Sequence, residues 1–380
     1  MRINVLHVVC ISDFYGTQRS VLATVRSLDR DVFQCRVAAP FGEIFFGKLA
    51  GEGVPVHVVP MRGLWDLSSA VEIAGIIRRE KIDVVHCHLG ISTFLGLMGA
   101  ALAGCGRRVV TRHFIRDRYT GVHPAAYPFY LWIYRLMNRR FDVTICVSGA
   151  VMREVVRREK IQDERCVVIP NGVRVEPPPA AGQGTRAEVR RELGVPGEGV
   201  MVLTLSRLAR EKGLDVLLRA AAECVRKRGD LYFVVAGGGD MESELKGFSE
   251  KSGLEGRVIF PGYREDVERL LCAADVYVLP SLEEPMGISV LEAMSAGVPV
   301  VAADSGGPKE IIEDGVTGFL VPPGDHAALS GKVTALVEND ALRKTFSENA
   351  LGRVRDFDEK KIAERIGSIY ITLVEGARKE

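Results

Sequence analysis

A chain of 380 residues, 47% hydrophobic and 26% charged, has the length of two or three domains and the composition of an ordinary soluble globular enzyme with substantial cores. Its net charge of +1 excludes little, but it conceals a division: +8 over residues 1–170 and −7 over residues 171–380. The N-terminal half therefore suits an anionic partner.

Residues 1–10 are too short and too early for the apolar region of a secretory signal and read as a first strand, so the cytoplasm is the expected location. Strand-like runs at 3–9, 35–39, 56–59, 84–87, 109–111, 143–147 and 166–169 then alternate with helical patterns. Continuous apolar strands separated by helices predict a parallel sheet covered on both faces, a Rossmann-like domain over 1–170. The 17 uncharged residues 89–105 fall short of a membrane span and are rich in Gly and Ala, which favours a buried helix of this α/β layer. The eight cysteines form no C-x-x-C pair and mostly fall in apolar runs, as small buried hydrophobes of a reducing compartment do.

Several polar residues interrupt this first half. His86 and His88 alternate at a strand end, but two ligands without a nearby carboxylate make a weak metal site, and none is expected. Asp29-Arg30-Asp31 is formally D-x-D but follows a helix, away from where a metal-bound diphosphate belongs. Residues 107–140 hold eight arginines against Asp117 alone, interleaved with Phe114, Tyr119, Tyr127, Phe129, Tyr130, Trp132 and Tyr134. Such a stretch suits an anionic membrane surface or a lipid-linked or acidic acceptor, and equally a helix with core aromatics and solvated arginines. Without a recognition motif, nucleic acid is not an expected partner.

Residues 171–198, with Pro177-Pro178-Pro179 and several glycines, read as a linker in which 186–193 could form a short helix. Alternation restarts at 200–205 and predicts a second Rossmann-like domain over 199–357, followed by an amphipathic helix over 358–380.

Ligands of doubly wound sheets bind at strand carboxyl ends, so the loops after strands carry the candidate chemistry. After 201–205 come Arg207 and Lys212, placed to neutralise a diphosphate, the first as a fork and the second as a point charge. Gly237-Gly238-Gly239 ends the next strand without completing a dinucleotide fingerprint, since Glu242 stands at the third glycine position.

The stretch 276–301 organises the domain: a strand, a loop with Glu283 and Glu284, Pro285 opening the next element, and a helix through Met294. The unbonded amides near Met286, Gly287, Ile288 and Ser289, with the helix dipole, suit an anion, and Gly287 removes a side chain where a phosphate would approach. Glu284 and Glu292 are eight positions apart, roughly 10 Å along the axis at ~1.5 Å per residue. Two carboxylates bracketing a diphosphate suit the hydroxyls at the two ends of a nucleotide sugar.

This E-x7-E block, with Pro285, Ala293, Gly297, Pro299, Ser305-Gly306-Gly307-Pro308 and Gly315-Val316-Thr317-Gly318, resembles the signature of family 4 glycosyltransferases. The resemblance implies the GT-B architecture, two Rossmann-like domains facing across a cleft, with the terminal helix returning to the first domain. It implies a retaining, metal-independent enzyme that uses a nucleoside-diphosphate sugar as co-substrate and a glycan or lipid-linked acceptor, in envelope polysaccharide or glycolipid synthesis. Arg207 and Lys212 match the family's R-x4-K pair, which stabilises the leaving diphosphate, and Glu292 matches the ribose contact. Glu284 matches the residue supporting the hexose, and Glu310 a further donor contact. By the same resemblance Gly237 lines the donor pocket, and the Gly262, Tyr263 and Arg264 loop meets the base. His113, after a first-domain strand, matches the histidine that touches the transferred sugar, and Gly16 the loop approaching the phosphates. The match departs there, with Tyr15 at the first glycine position and Gln18 where Glu is common. Two other readings of the same residues are a nucleotide-sugar epimerase of the same architecture and a non-catalytic protein binding sugar nucleotides or phospholipids.

Overall fold

The computed structural model describes residues 2–10, 16–88, 90–115, 127–175 and 183–376. The chain divides into two compact units, Met1–Gly172 with Glu359–Glu380, and Val173–Asp358.

In the first unit the elements run β1 (Ile3–Val9), α1 (Gly16–Ser27), β2 (Phe33–Ala39), α2 (Glu43–Gly51), β3 (Val56–Val58), α3 (Leu67–Arg79) and β4 (Val84–His88). They continue with α4 (Gly90–Ala103), β5 (Arg108–Arg112), α5 (Tyr127–Asn138), β6 (Val143–Cys146), α6 (Gly149–Glu159) and β7 (Cys166–Val168). All seven strands pair in parallel in the order β3-β2-β1-β4-β5-β6-β7. β1 and β4 are the central pair, and their near-continuous apolar sequences are buried on both faces, as a sheet with helices on either side requires.

One face is closed by α3 and α4, where Ile73, Ile76 and Ile77 pack with Leu95, Leu97 and Ala100. The described part of the uncharged run thus forms α4, packed on the core, and among the described residues no helix is long and apolar enough to cross a membrane.

In the second unit follow α7 (Gln183–Leu193), β8 (Val200–Leu205), α8 (Leu214–Lys227), β9 (Leu231–Ala236), α9 (Glu242–Lys251), β10 (Val258–Ile259), α10 (Val267–Ala273) and β11 (Val276–Leu279). Then come α11 (Ile288–Ser295), β12 (Val300–Ala303), α12 (Pro308–Ile311), β13 (Phe319–Val321), α13 (His326–Val337) and α14 (Asp340–Arg353). The six strands are parallel in the order β10-β9-β8-β11-β12-β13. α8 buries Leu214, Leu217, Leu218, Ala221 and Cys224, a helical stripe that packs with Leu329, Val333 and Leu336 of α13.

The segment expected to link the domains contains a longer helix than its composition suggested, anchored on the second unit. From α7, Arg190 donates to the carbonyls of Gly199 at 2.7 Å and Ala273 at 3.1 Å, and both Arg186 and Arg190 pair with Asp275. Arginine forks capturing several carbonyls explain why a charged stretch is ordered there. Pro177 to Pro179 lie outside the described residues.

The closing helix α15 (Glu359–Gly376) belongs to the first unit. Ile362, Ala363, Ile366, Tyr370 and Val374 form its apolar stripe and pack on Ile3, Val5, Val84 and Val109. Its first residue, Glu359, takes two bonds from Arg26 Nε at 3.0 and 3.1 Å.

Candidate active site

Where strand order reverses, two neighbouring loops diverge to opposite faces of the sheet and leave a crevice at the carboxyl ends. In the second unit this point lies between β8 and β11, the strands that precede Arg207 and Lys212 on one side and Glu284 on the other. Lys212 Nζ donates to Glu284 Oε2 at 2.7 Å, and Ser281 Oγ donates to the same oxygen at 3.0 Å. Glu284 is buried, so its charge is supported by these two donors more than by water. Arg207 pairs with Glu211 at 2.8 Å, and the Glu211 carbonyl accepts the Leu282 amide at 2.8 Å. The backbone of the two loops is thereby joined across the crevice.

The geometry corrects one expectation about Glu284. Pro285 does not open a helix: α11 begins at Ile288, with Gly287 as its N-cap. Glu284 is instead held by a backbone bridge to Gly306, its amide donating to Ser305 O at 3.0 Å while Gly307 N donates to its carbonyl at 2.8 Å. A helical rise therefore does not measure the separation of Glu284 from Glu292. Gly287 is required by conformation, with φ +92°, where a side chain would be strained although a Cβ would meet only ordinary contacts.

No side chain caps α11. The first amides returning to the Gly287 carbonyl are those of Val290 and Leu291, and among the described residues nothing accepts from Ile288 or Ser289 N–H. Two amides at a helix N-terminus, beside a lysine and an arginine, can hold an anion. The Met286 side chain is buried.

Two further residues of this site escaped the sequence reading, Glu211 and Tyr277. Buried Tyr277 donates to Leu205 O at 3.3 Å. Burial pushes its phenol up, a hydrogen bond with Ser289 opposes this, and the charges of Glu292 and Glu284 add to the rise. It thus lies under the crevice, near both carboxylates. The signal was a tyrosine in an otherwise aliphatic strand.

Gly237, at the end of β9, has φ +150°, and a Cβ there would stand 1.8 Å from Ser206 O. Its amide donates to Gly262 O at 2.9 Å, so the Gly237 and Gly262 loops lie against the loop of Arg207. Tyr263 is exposed. Arg264 is engaged by Asp266 at 2.7 Å through both ends of its fork and also pairs with Glu192, so a base contact would have to compete with two carboxylates. Glu310 lies on the short α12, its carbonyl accepting from Arg353 at 3.0 Å.

In the first unit, Gly16 opens α1 and Gln18 is buried beneath it, while Tyr15 lies outside the described residues. His113 follows β5 and is joined to a histidine array. His88 Nδ1 lies 3.2 Å from His113 Nε2, and His88 Nε2 lies 3.0 Å from His7 Nδ1. His86 lies beside them, held by Thr111 Oγ1 at 2.6 Å and Tyr370 Oη at 2.5 Å. Burial lowers all four, His7 and His113 to about 3, so the rings are neutral.

The sequence showed two possible metal ligands here, and β1 supplies a third: His7, His86 and His88 could each offer a ligand atom within 4.8 Å of the others. Strands β1 and β4 are far apart in sequence, so only their pairing reveals it.

The basic stretch departs from both readings at Arg112. Arg112 is buried, bound to Glu159 at 2.8 Å and Asn138 at 2.6 Å, and Tyr134 is core. Phe129, Trp132 and Leu136, spaced along α5, are at least half exposed. Arg116, Asp117, Arg118 and Tyr119 lie outside the described residues.

Comparison with known proteins identifies the family. Residues 14–177 match the family described as Glycosyltransferase Family 4, and residues 185–353 that described as Glycosyl transferases group 1. The chain is 36% identical to a phosphatidyl-myo-inositol mannosyltransferase of Mycobacterium leprae, over 96% of this chain and 95% of that one. It is 26% identical to the UDP-Gal:alpha-D-GlcNAc-diphosphoundecaprenol alpha-1,3-galactosyltransferase of Escherichia coli, over 98% of each. Among solved structures, Anabaena HepE in complex with UDP and glucose superposes with a TM-score of 0.85 at 23% identity, covering 97% of this chain and 99% of that one, a likeness of fold.

Proposed function

The chain belongs to glycosyltransferase family 4, and from that premise we propose a retaining, metal-independent transfer of a hexosyl unit from a nucleoside-diphosphate sugar to an acceptor hydroxyl. The observation that carries the reading is the β8/β11 crevice, where Lys212 and the Gly287 N-cap of α11 lie at buried Glu284 and Arg207 pairs with Glu211 of the neighbouring loop.

The diphosphate would rest on the amides of Ile288 and Ser289. As the anomeric carbon–oxygen bond breaks, negative charge grows on the leaving phosphate, and Lys212 and Arg207 compensate it. Both cations face carboxylates, so the donor would exchange phosphate for Glu284 and Glu211. Glu292 holds the ribose and Glu284 the hexose, with Glu310, Gly237, Gly262, Tyr263 and Gly16 around the donor. The acceptor hydroxyl attacks on the face the diphosphate leaves, and its proton passes to a leaving-phosphate oxygen. His113 meets the transferred sugar.

A lipid-linked acceptor is supported by the relatives, whose names include phosphatidylinositol and undecaprenol lipids, and by the exposed Phe129, Trp132 and Leu136 of α5. A glycolipid or envelope polysaccharide precursor, met by a peripheral enzyme at the inner face of an anionic membrane, fits both.

The test is product analysis with UDP-, GDP-, ADP- and dTDP-sugars, with and without a lipid extract as acceptor. A glycoside retaining the donor's anomeric configuration is expected, formed equally in a chelator. Inverted configuration, or a new sugar nucleotide formed without acceptor, would replace this reading.

A further inference from the structure

His113, His88 and His7 form a line of imidazoles running from the carboxyl edge of the first unit's sheet into its core. Their exposures fall from 7% to 3% to 0% along it. Each link joins one ring nitrogen to another, at 3.2 and then 3.0 Å. In each link one nitrogen carries the proton and the other accepts, and because burial keeps every ring neutral, each ring has only one proton to give. The proton order of the whole line therefore has just two directions.

The far end of the line decides between them. His7 Nε2 is buried and, among the described residues, has no hydrogen-bond partner. If the protons pointed inward, from His113 to His88 to His7, the remaining His7 proton would sit on Nε2, a buried N–H with nothing to accept it. If they point outward, His7 Nε2 is only an unused lone pair, the less costly of the two.

We propose that His7 and His88 are positioning residues that fix the tautomer of His113: His7 Nδ1–H donates to His88 Nε2, His88 Nδ1–H donates to His113 Nε2, and His113 keeps its proton on Nδ1. His113 then meets a sugar hydroxyl as a donor only, an asymmetry that selects how the hexose is oriented. This role rests on the reading of His113 as the sugar contact; the proton order itself does not. His86, with both nitrogens engaged by Thr111 and Tyr370 hydroxyls, packs its ring 4.2 Å from His88 and holds the line in place. A divalent ion among His7, His86 and His88 would have to break the His7–His88 bond and one of the two bonds that His86 makes to Thr111 and Tyr370.

Histidine-labelled wild-type protein read by nitrogen-15 NMR tests the proton order without any activity. Signals of His88 and His113 showing protonated Nδ1 and bare Nε2 are expected. A protonated Nε2 on His113, or one metal ion per chain by elemental analysis, would overturn the proposal.

The functional arm uses two variants. His88→Leu removes the donor to His113, and turnover should fall about tenfold or more with nucleotide affinity unchanged. His88→Gln, whose amide both accepts from His7 and donates to His113, should recover most of it. Equal losses in both variants, or no loss in His88→Leu, would reject the positioning role. A wild-type protein that transfers no sugar at all would instead remove the glycosyltransfer reading and leave the NMR result standing.

Discussion

The two units present strand-end sites of opposite character. At the β8/β11 crevice of the second unit, polar groups are charged and paired, Lys212 with Glu284 and Arg207 with Glu211. At the first unit's sheet edge they are buried, neutral and joined ring to ring through His113, His88 and His7. On the proposed function, the crevice receives an anion and keeps exchangeable counter-charges, while the histidine line orients a neutral sugar and needs only fixed donors and acceptors. The same doubly wound topology serves both, because strand ends supply position and side chains supply the chemistry.

The sharpest way to break this comparison is to remove the charge proposed to act at the transition state. Lys212→Ala should lower turnover by about 10²–10³-fold while nucleotide affinity changes only a fewfold, because the largest charge appears as the bond breaks. Steady-state kinetics beside calorimetric titration separates the two, and unchanged turnover would remove Lys212 from leaving-group stabilisation.

The crevice also depends on backbone proximity. Gly237→Ala would force a Cβ to 1.8 Å from Ser206 O at a φ of +150°. A loss of about 3 kcal/mol or more in denaturant unfolding is expected, together with loss of nucleotide binding.

On the neutral side, the sign of the pH dependence is set by burial. His7 and His113 titrate at about 3 in the folded protein against 6.5 as free side chains, so between these values the unfolded chain binds more protons. Their contribution is complete above about pH 6.5 and is lost as pH falls toward 3, by about 1.4 kcal/mol per pH unit for each ring. Denaturant unfolding at pH 7 and pH 5 should show this slope, and His7→Gln should make it shallower; an identical slope in that variant would deny His7 its part.

The smaller effects sharpen the donor site. Glu292→Ala should weaken nucleoside-diphosphate binding about tenfold by titration, as loss of one charged hydrogen-bond acceptor implies. Arg264→Ala should change it less than threefold, since that guanidinium is already held by Asp266 and Glu192.

Much of the fold was legible because parallel strands announce themselves as unbroken apolar runs and helices as stripes, in both halves of the chain. The placing of polar side chains at strand ends was legible where a motif lay within one loop: Arg207 and Lys212 both follow β8, and Glu284 follows β11. What the sequence could not show depends on pairing between distant segments. His7 joins His88 only because β1 lies beside β4, and Glu211 reaches the Leu282 amide only because β8 lies beside β11. The position of Glu284 was misjudged for the same reason: its backbone is set by residues 305–307, some twenty positions later, not by the helix that follows it. Arg112 counted toward a basic surface until Glu159, from α6, was found beside it in the core.

The measurement that bears most directly on the central claim is thermal unfolding of the protein with UDP, GDP, ADP and dTDP, each with and without a chelator. A ligand bound to the folded state alone raises the midpoint by mass action. One of the four should raise it equally with and without the chelator, and the rise should shrink in Glu292→Ala. No shift from any of them at millimolar concentration, or a shift that disappears with the chelator, would contradict an anion site built from Lys212, Arg207 and the N-terminus of α11.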